Sequence, residues 1–351
     1  LNLKTASNLK SATVAVHVAD AGIQHALAVV NPGNSFSYTT QTTVVNSTSF
    51  GYGYSYTVTA LNGPGTEKAT LTATVSGPDG AKGIVQAVVV RSLLTLPPIP
   101  GAISIVGEAE ASFPGTNSVI DGNDFALNGN PTANPAKRGI TVGDISAPSS
   151  QTAAQALSNV NNALSWDQKD HLVLGLGRDQ PTNTPSTGID NSLTKKATSD
   201  FVNYLKTIAD SYLTVKSTGR DVTGTVTAST PGGGGNLTVG SKTINMGTNG
   251  NPQIVFFEGV PAGQLGDLRL KFSGSIVGHG ILVMKDNDLQ FLGELDWKGL
   301  IIVIGPDTSI AFQGSGLQNV LGAVIVNETN TDIGASELSI SNSNANTKYR
   351  S

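Results

Sequence analysis

Apolar positions in the first 30 residues follow the period of a helix. They recur at spacings of three and four residues, and no proline interrupts them. The members of the pattern include Leu3, Ala6, Leu9, Ala12, Val16, Ala19, Ile23, Ala26, Leu27 and Val30. The helix-ending residues Asn31, Pro32 and Gly33 come next. The sequence therefore predicts one long helix over residues 1 to about 30. It is either an ordinary packing helix or the lower half of a longer one.

Between residues 34 and 95 the pattern changes to the alternating and β-branched runs that are typical of strands. The predicted strands are 35–40, 53–59, 69–75 and 84–90. Alternation with one polar face indicates an antiparallel meander, and the first helix could cover its other face. A stiff Pro97–Gly101 segment follows. We therefore predict a pilin-like helix and sheet domain at 1–96 and a second domain at 97–351.

A glycine precedes an apolar strand three times in the last third of the chain. These repeats begin at Gly280, Gly299 and Gly322, which are 19 and 23 residues apart. Periods near 20 residues with glycine at the corners indicate stacked coils, and strands buried between neighbours read as continuous apolar runs. We expect a right-handed parallel β-helix with a helical insertion at about 151–215. A β-sandwich is the alternative. The predicted fold class is mainly β with a long N-terminal helix.

Composition narrows the function classes. The chain has 351 residues, no cysteine and a formal net charge of −4. These values exclude disulfides and thiolate catalysis and argue against a generally basic nucleic-acid-binding protein. No apolar run reaches the ~18 residues that a membrane span needs. The chain starts at Leu1 without Met or a signal peptide, so we expect a processed or truncated end.

Motifs for phosphate binding are incomplete. Gly175 and Gly177 follow a predicted strand, but a Gln stands at position 180, where the dinucleotide motif needs a third glycine. The glycine run at 232–235 is not followed by the Lys and Ser or Thr of a phosphate loop. We predict no enzyme and no organic cofactor.

The four histidines show no metal-ligand spacing. His17 and His25 lie eight residues apart on the first helix, where we expect exposed or packing roles. His171 is expected at the surface with no partner, and His279, between two glycines, at a turn of the chain.

Carboxylates cluster at Asp286 and Asp288, in a short polar segment between two predicted strands. Asp and Asn favour turns for local hydrogen-bonding reasons. Two acidic groups in one turn are also weak candidates for calcium ligands, and paired acids could hydrolyse glycosides. Turn chemistry, calcium binding and catalysis therefore stay open here, with calcium as the one metal under consideration. The Asp121–Asp124 segment is interpreted in the same way.

A family resemblance rests on residues 15–27, which read Ala-Val-His-Val-Ala-Asp-Ala-Gly-Ile-Gln-His-Ala-Leu. This segment resembles the one that follows the membrane helix in PilX-like type IV pilus assembly proteins, with Asp20 where Glu is usual and Gln24 in place of the second Glu. Residues 274–283 and 297–303 resemble the C-terminal repeat region of larger PilX-like proteins. The resemblance implies a pilin-like helix whose hydrophobic half, upstream of Leu1, sits in the membrane or filament core.

The first functional hypothesis follows from that resemblance. It is a non-enzymatic structural subunit of a type IV pilus or related surface filament, a PilX-like minor pilin that acts in assembly or surface attachment. The location would be the cell envelope or extracellular surface of a bacterium, and the partners would be other pilin-like subunits or a tip adhesin. The assembly helix would use Ala12, Val16, Ala19, Asp20, Ile23 and Ala26.

Two other hypotheses remain. The first is a secreted β-helix protein that binds or cleaves polysaccharide. A ladder of acids with a basic residue on one exposed face would favour it, and the sequence shows no regular ladder. The second is the main subunit of a self-assembling extracellular filament, which self-association would distinguish from a minor component.

Overall fold

The computed structural model describes residues 2–29, 38, 40–62, 68–90, 96–145, 151–179, 181–214, 221–227, 236–239, 242–259, 269–306, 308–329 and 336–351. The fold is mainly β, with an N-terminal helix and both antiparallel and parallel sheets. The chain divides into two compact units, Leu1–Thr95 and Leu96–Ser351. We describe each unit by itself.

The first unit is a helix on a four-stranded antiparallel sheet with strand order β1-β2-β3-β4. Its elements are α1 Asn2–Val29, β1 Thr42–Gly51, β2 Tyr54–Asn62, β3 Lys68–Ser76 and β4 Lys82–Val90, with a short 3-10 helix at Pro78–Gly80. Each strand pairs with the next one along the chain, so short turns are sufficient connections.

Alternation of side chains explains the core of the first unit. Along β3, Leu71, Ala73 and Val75 are fully buried, whereas the threonines between them face outwards. The helix contacts all four strands and buries one face against them. The antiparallel sheet and the N-terminal helix predicted from the sequence are therefore confirmed.

The second unit contains two helices and 19 strands in the described residues. Its elements are β5 Gly101–Val106, β6 Ala109–Ser112, β7 Val119–Asp121, β8 Arg138–Gly143, α2 Ala153–Ala163, a π-helix at Gln168–Leu172, β9 Val173–Leu174, β10 Thr187–Ile189, α3 Lys195–Ile208, β11 Ser211–Thr214, β12 Asp221–Thr227, β13 Asn236–Val239, β14 Lys242–Asn245, β15 Gln253–Glu258, β16 Arg269–Ser273, β17 Ser275–Lys285, β18 Asp288–Phe291, β19 Glu294–Gly305, β20 Thr308–Phe312, β21 Gln318–Glu328, β22 Ser336–Ile340 and β23 Ala345–Tyr349.

Successive strands of this unit alternate between two sheets. One has the order β10-β8-β5-β21-β19-β17-β15-β11, with β23, β7 and β9 paired beside it, and the other has the order β14-β13-β12-β16-β18-β20-β22-β6. All pairs are parallel except in the β12-β13-β14 meander at one end. The chain therefore passes from β15 to β23 by visiting the two sheets in turn.

The repeated glycines stack in register. Gly280 pairs with Gly299, and Gly299 pairs with Gly322. Gly299 has φ +137°, and a Cβ atom there would lie 2.0 Å from the carbonyl oxygen of Gly280. No other residue fits this spacing, which explains why the glycine recurs.

Aromatic side chains form a column inside the second unit. Phe272, Phe291 and Phe312 pair in register on the neighbouring strands β16, β18 and β20, with ring centroids 5.5 and 5.4 Å apart. Phe257 of β15, in the other sheet, packs against Phe272 with ring centroids 5.8 Å apart. All four are essentially inaccessible to solvent. Each layer places the same residue type above its predecessor, so the packing repeats along the stack.

Two segments that are far apart in sequence meet in the middle of the larger sheet. Val324 pairs with Ile103, and the amide of Glu108 donates to Glu328 Oε2 at 3.0 Å across 220 residues. Likewise β22 pairs with β6 and β23 with β7. We call this contact of β21–β23 with β5–β7 the seam.

Helix α3 connects the two ends of the larger sheet, since β10 precedes it and β11 follows it. It contacts β15 and β21 and buries Phe201, Val202 and Leu205. The strand residues that face away from the inner core, such as Ile302 and Ile325, are also fully buried. We infer that α3 covers this outer face, which accounts for the unbroken apolar runs of β19 and β21.

Several local expectations differ from the structure. Most of the predicted strand at 35–40 lies outside the described residues, and strands β1 and β8 occur where none was predicted. Strand β1 was not predicted because polar residues on both sides of its central valines hide the strand pattern. The stretch at 151–215 contains α2 and α3, but β9, β10 and β11 within it pair with the main sheets. This stretch is therefore part of the stacked body.

Candidate binding groove

The stacked glycines lie where the long strands pass from one set of neighbours to another. Residues Gln318–Gly322 of β21 pair with β23, whereas Val324–Asn327 pair with β5. Strands β17 and β19 carry their glycines at the same level of the stack. Side chains just before each glycine therefore form rows on one outer face, beside a strip of backbone that has no side chains.

Two adjoining cavities of about 330 and 290 Å³ open on this face. Leu127 and Lys298 line both, and we call the combined depression the groove. Pairing register puts His279, Lys298, Leu321 and Lys348 in one row across four strands. A second row contains Asp296, Asn319 and Asn346.

Positive charge dominates the groove. Among the described residues that line it, Lys298, Lys348 and Arg350 have cationic side chains, against one carboxylate side chain, that of Asp296. Within the described part of the chain, none of the three cations has an acidic side chain at ion-pair distance. Lys348 Nζ lies 4.9 Å from the ring centroid of Phe125, which holds this side chain over the groove edge.

His279 lies on the floor of the groove and is only 7% exposed. Burial, followed by the nearby charge of Lys298, lowers the pKa of His279 below its ordinary value. The imidazole is therefore neutral at pH 7, with one donor and one acceptor nitrogen. This side chain can form hydrogen bonds with a polar ligand without adding charge.

A polar cluster around Asp124 fixes the loop that carries Leu127. The Asp124 carboxylate accepts hydrogen bonds from Thr132 Oγ1, from Asn134 Nδ2 at 2.8 Å and from the Ser351 amide at 2.6 Å. Burial favours the neutral acid, but these hydrogen bonds lower the pKa of Asp124 overall. The ionised carboxylate thereby joins the loop to the segment that follows β23.

The calcium candidates Asp286 and Asp288 have separate roles in the structure. Asp286 adopts φ +55° and lies 3.8 Å from Lys285 Nζ, and burial raises the pKa of its carboxyl. Asp288 Oδ1 accepts the amide of Ser309 in the next layer at 2.8 Å. Across the residues that the structure describes, no group of three or more His, Cys, Asp or Glu side chains could hold a metal ion. Asp121 accepts hydrogen bonds from Asn123 in a local turn.

The other histidines are dispersed. His17 is exposed on α1, and His25 Nδ1 hydrogen-bonds the Tyr56 hydroxyl at 2.8 Å. His171 lies at the surface as expected, but the expectation that it has no partner is wrong. Its Nε2 lies 2.7 Å from Asp170 Oδ2, and its ring packs edge-on against Trp166.

The proposed assembly residues of α1 lie on two faces. Ala19, Ile23 and Ala26 are buried against the sheet of the same unit. The remaining members, which are exposed, are Ala12, Val16 and Asp20. These three follow each other at intervals of four residues and so form one stripe along the helix.

Sequence reasoning missed the groove and a second charged cluster. The feature of the sequence that could have indicated the groove is the residue just before each repeated glycine, because these residues align on one outer face of the stack. The second cluster surrounds Glu258, which lies 2.6 Å from Lys206 Nζ and 3.1 Å from Lys285 Nζ and accepts from the Tyr212 hydroxyl. Burial opposes ionisation, but these hydrogen bonds lower the pKa of Glu258 to about 2. The cluster joins α3 to β11, β15 and β17.

Comparisons with known proteins identify no relative. No protein-family model matches the chain, and neither the curated proteins nor the solved structures give a match. No helix among the described residues is long and apolar enough to span a membrane.

Proposed function

We propose that this chain is a non-enzymatic structural subunit of a type IV pilus or related bacterial surface filament, a PilX-like minor pilin. The observation that carries the proposal is the division of α1 into two faces. One face packs on the antiparallel sheet, and the stripe of Ala12, Val16 and Asp20 is left exposed. A helix with two faces of this kind can join its own domain to a neighbouring helix.

The distribution of burial along α1 supports this role. Every buried residue of the helix described lies between Ala15 and Ala26, whereas residues 8–10 are exposed and Leu9 is 69% exposed. The turn that carries Leu9 is not covered by the sheet of its own unit, so it is available for contact with another subunit. In a filament, neighbouring helices would cover these turns.

The finer architecture is part of the same proposal. We infer that the second unit is a right-handed parallel β-helix. The support is the in-register parallel pairing of β15, β17, β19 and β21, together with the passage of the chain between two sheets. Such a stack presents an extended outer surface, which suits a part that projects from a filament.

Location and partners follow from the assembly role. The chain would reside in the cell envelope or on the extracellular surface, in contact with other pilin-like subunits or a tip adhesin. A hydrophobic segment upstream of Leu1 would connect it to the membrane.

The test places a photo-cross-linking residue at Val16 in cells that express the full protein. Surface filaments are sheared off and their adducts are identified by mass spectrometry. Tyr52, which is 96% exposed at the turn between β1 and β2, is the matched control site in the same unit. We expect adducts with pilin-like subunits from position 16 and few or none from position 52.

The outcomes separate the hypotheses. Adducts between two copies of this chain as the main product would support the main-subunit alternative. Absence of the protein from the filament fraction, or equal adducts from both positions, would overturn the proposal.

A further inference from the structure

The groove carries a net positive charge on a protein whose formal net charge is −4. We propose that it binds an acidic oligosaccharide with carboxylates on alternate sugar units. This inference concerns the second unit alone and does not depend on the assembly role of α1.

The spacing of the lysines sets the pattern of the ligand. Lys298 aligns with Leu321, and Leu321 aligns with Lys348, so the two lysines lie two strands apart in one row. Neighbouring strands are about 4.8 Å apart, so the lysine backbones are about 9.5 Å apart. Carboxylates on alternate units of an extended glycan match this repeat, with Leu321 beneath the sugar between them.

The remainder of the groove suits sugar hydroxyls and the apolar faces of sugar rings. Asn319 and Asn346 hydrogen-bond each other at 3.1 Å in the second row and offer amide groups beside the lysines. His279 adds a neutral donor and acceptor on the floor. Leu127 supplies apolar surface at the rim, and the glycine strip lets a ligand approach the backbone closely.

The same surface is poorly suited to single-stranded nucleic acid. Such ligands bind through base stacking on aromatic side chains together with backbone charge. Among the described residues that line the groove there is no Phe, Tyr or Trp. The observations therefore favour an acidic glycan over single-stranded nucleic acid.

The experiment is calorimetric titration of the full chain with a hyaluronan hexasaccharide, in which carboxylates occupy alternate units. The neutral hexamer of N-acetylglucosamine and the oligonucleotide dT6 are the controls. We expect saturable binding of the hyaluronan fragment that weakens as salt rises, with no binding of the N-acetylglucosamine hexamer and at least tenfold weaker binding of dT6. No binding of the hyaluronan fragment, or equal binding of dT6, would overturn the proposal.

Substitutions locate the site. Lys298→Gln and Lys348→Gln should each weaken binding roughly tenfold, since each removes a charged hydrogen-bond donor. Asp296→Asn should strengthen it by removing a repelling carboxylate. Lys196→Gln makes the same charge change at an exposed position on α3 and should leave affinity unaltered. Because all four side chains are at least partly solvent-accessible, the variants should fold. Equal affinities for Lys298→Gln, Lys348→Gln and Lys196→Gln would contradict the assignment.

Discussion

The two units are both β-rich, but they are held together by contacts of different range. In the first unit every strand pairs with its neighbour in sequence. In the second, apart from the β12-β13-β14 meander, strands that pair are separated by at least one intervening strand, and at the seam by 220 residues. In a sheet of sequence neighbours, a substitution disturbs only the few contacts around it. In the stack, every layer packs on the next with the same geometry, so a distortion in one layer also disturbs the packing of the adjoining layers.

The comparison can be measured in a single molecule. Both tryptophans, Trp166 and Trp297, belong to the second unit, so tryptophan fluorescence follows that unit. Hydrogen exchange of peptides from residues 42–90 follows the first. Each of the following substitutions should alter the signal of one unit and leave the signal of the other unchanged.

The largest effect is expected at the stacked glycines. Gly299→Ala places a Cβ atom against the Gly280 carbonyl at a strained φ, and we expect a loss above about 4 kcal/mol in the unfolding free energy of the second unit. Gly80→Ala in the first unit is the control, since it also has positive φ but nothing within 4 Å of the added atom. It should cost about 1 to 2 kcal/mol. If urea titrations gave similar losses of unfolding free energy for Gly299→Ala and Gly80→Ala, the clash of the added Cβ atom with the Gly280 carbonyl would be refuted as the cause.

Truncation of the aromatic column should come next. Phe291→Ala removes a ring that contacts both Phe272 and Phe312, and the cavity should cost about 3 to 5 kcal/mol. Phe291→Leu refills much of the volume and should recover part of this loss. The tryptophan transition should move to lower urea, with residues 42–90 exchanging as before. An unchanged urea midpoint of the tryptophan transition would show that the aromatic column does not stabilise the second unit.

A smaller effect depends on pH. Glu258 has its ordinary pKa of 4.5 when unfolded and a pKa of about 2 in the fold. Its contribution to stability is therefore complete above about pH 4.5 and is lost as the pH falls towards 2. Glu258→Gln should lower stability by about 1 to 3 kcal/mol at pH 7. The difference between the two proteins should shrink across that window in acid urea titrations, and a constant difference would contradict the ionised cluster.

The smallest effect is expected in the first unit. Tyr56→Phe removes the hydroxyl that pairs with His25 at 2.8 Å and should cost about 1 kcal/mol. Faster exchange in residues 42–90 with an unaltered tryptophan transition would match the division into units. A shift of the tryptophan transition would show that the units share stability.

The sequence predicted those features that local patterns encode. Alternation along β3 and helical spacing along α1 indicated the first unit, and the repeated glycines indicated the layers of β17, β19 and β21. The seam could not be predicted, since pairing of Val324 with Ile103 leaves no periodic signal across such a distance. The groove was missed for a related reason. Lys298 and Lys348 become neighbours through register, and only the stack sets that register.

The seam also has a consequence for biosynthesis. Strand β5 leaves the ribosome 220 residues ahead of the strand that covers its edge, a delay on the order of 10 to 40 s at ordinary elongation rates. During that interval an open strand edge that can pair with other chains lies in the future middle of the sheet. Completion of β21–β23 closes it. Nascent chains that stall before these strands would therefore aggregate through an interior surface of the finished protein.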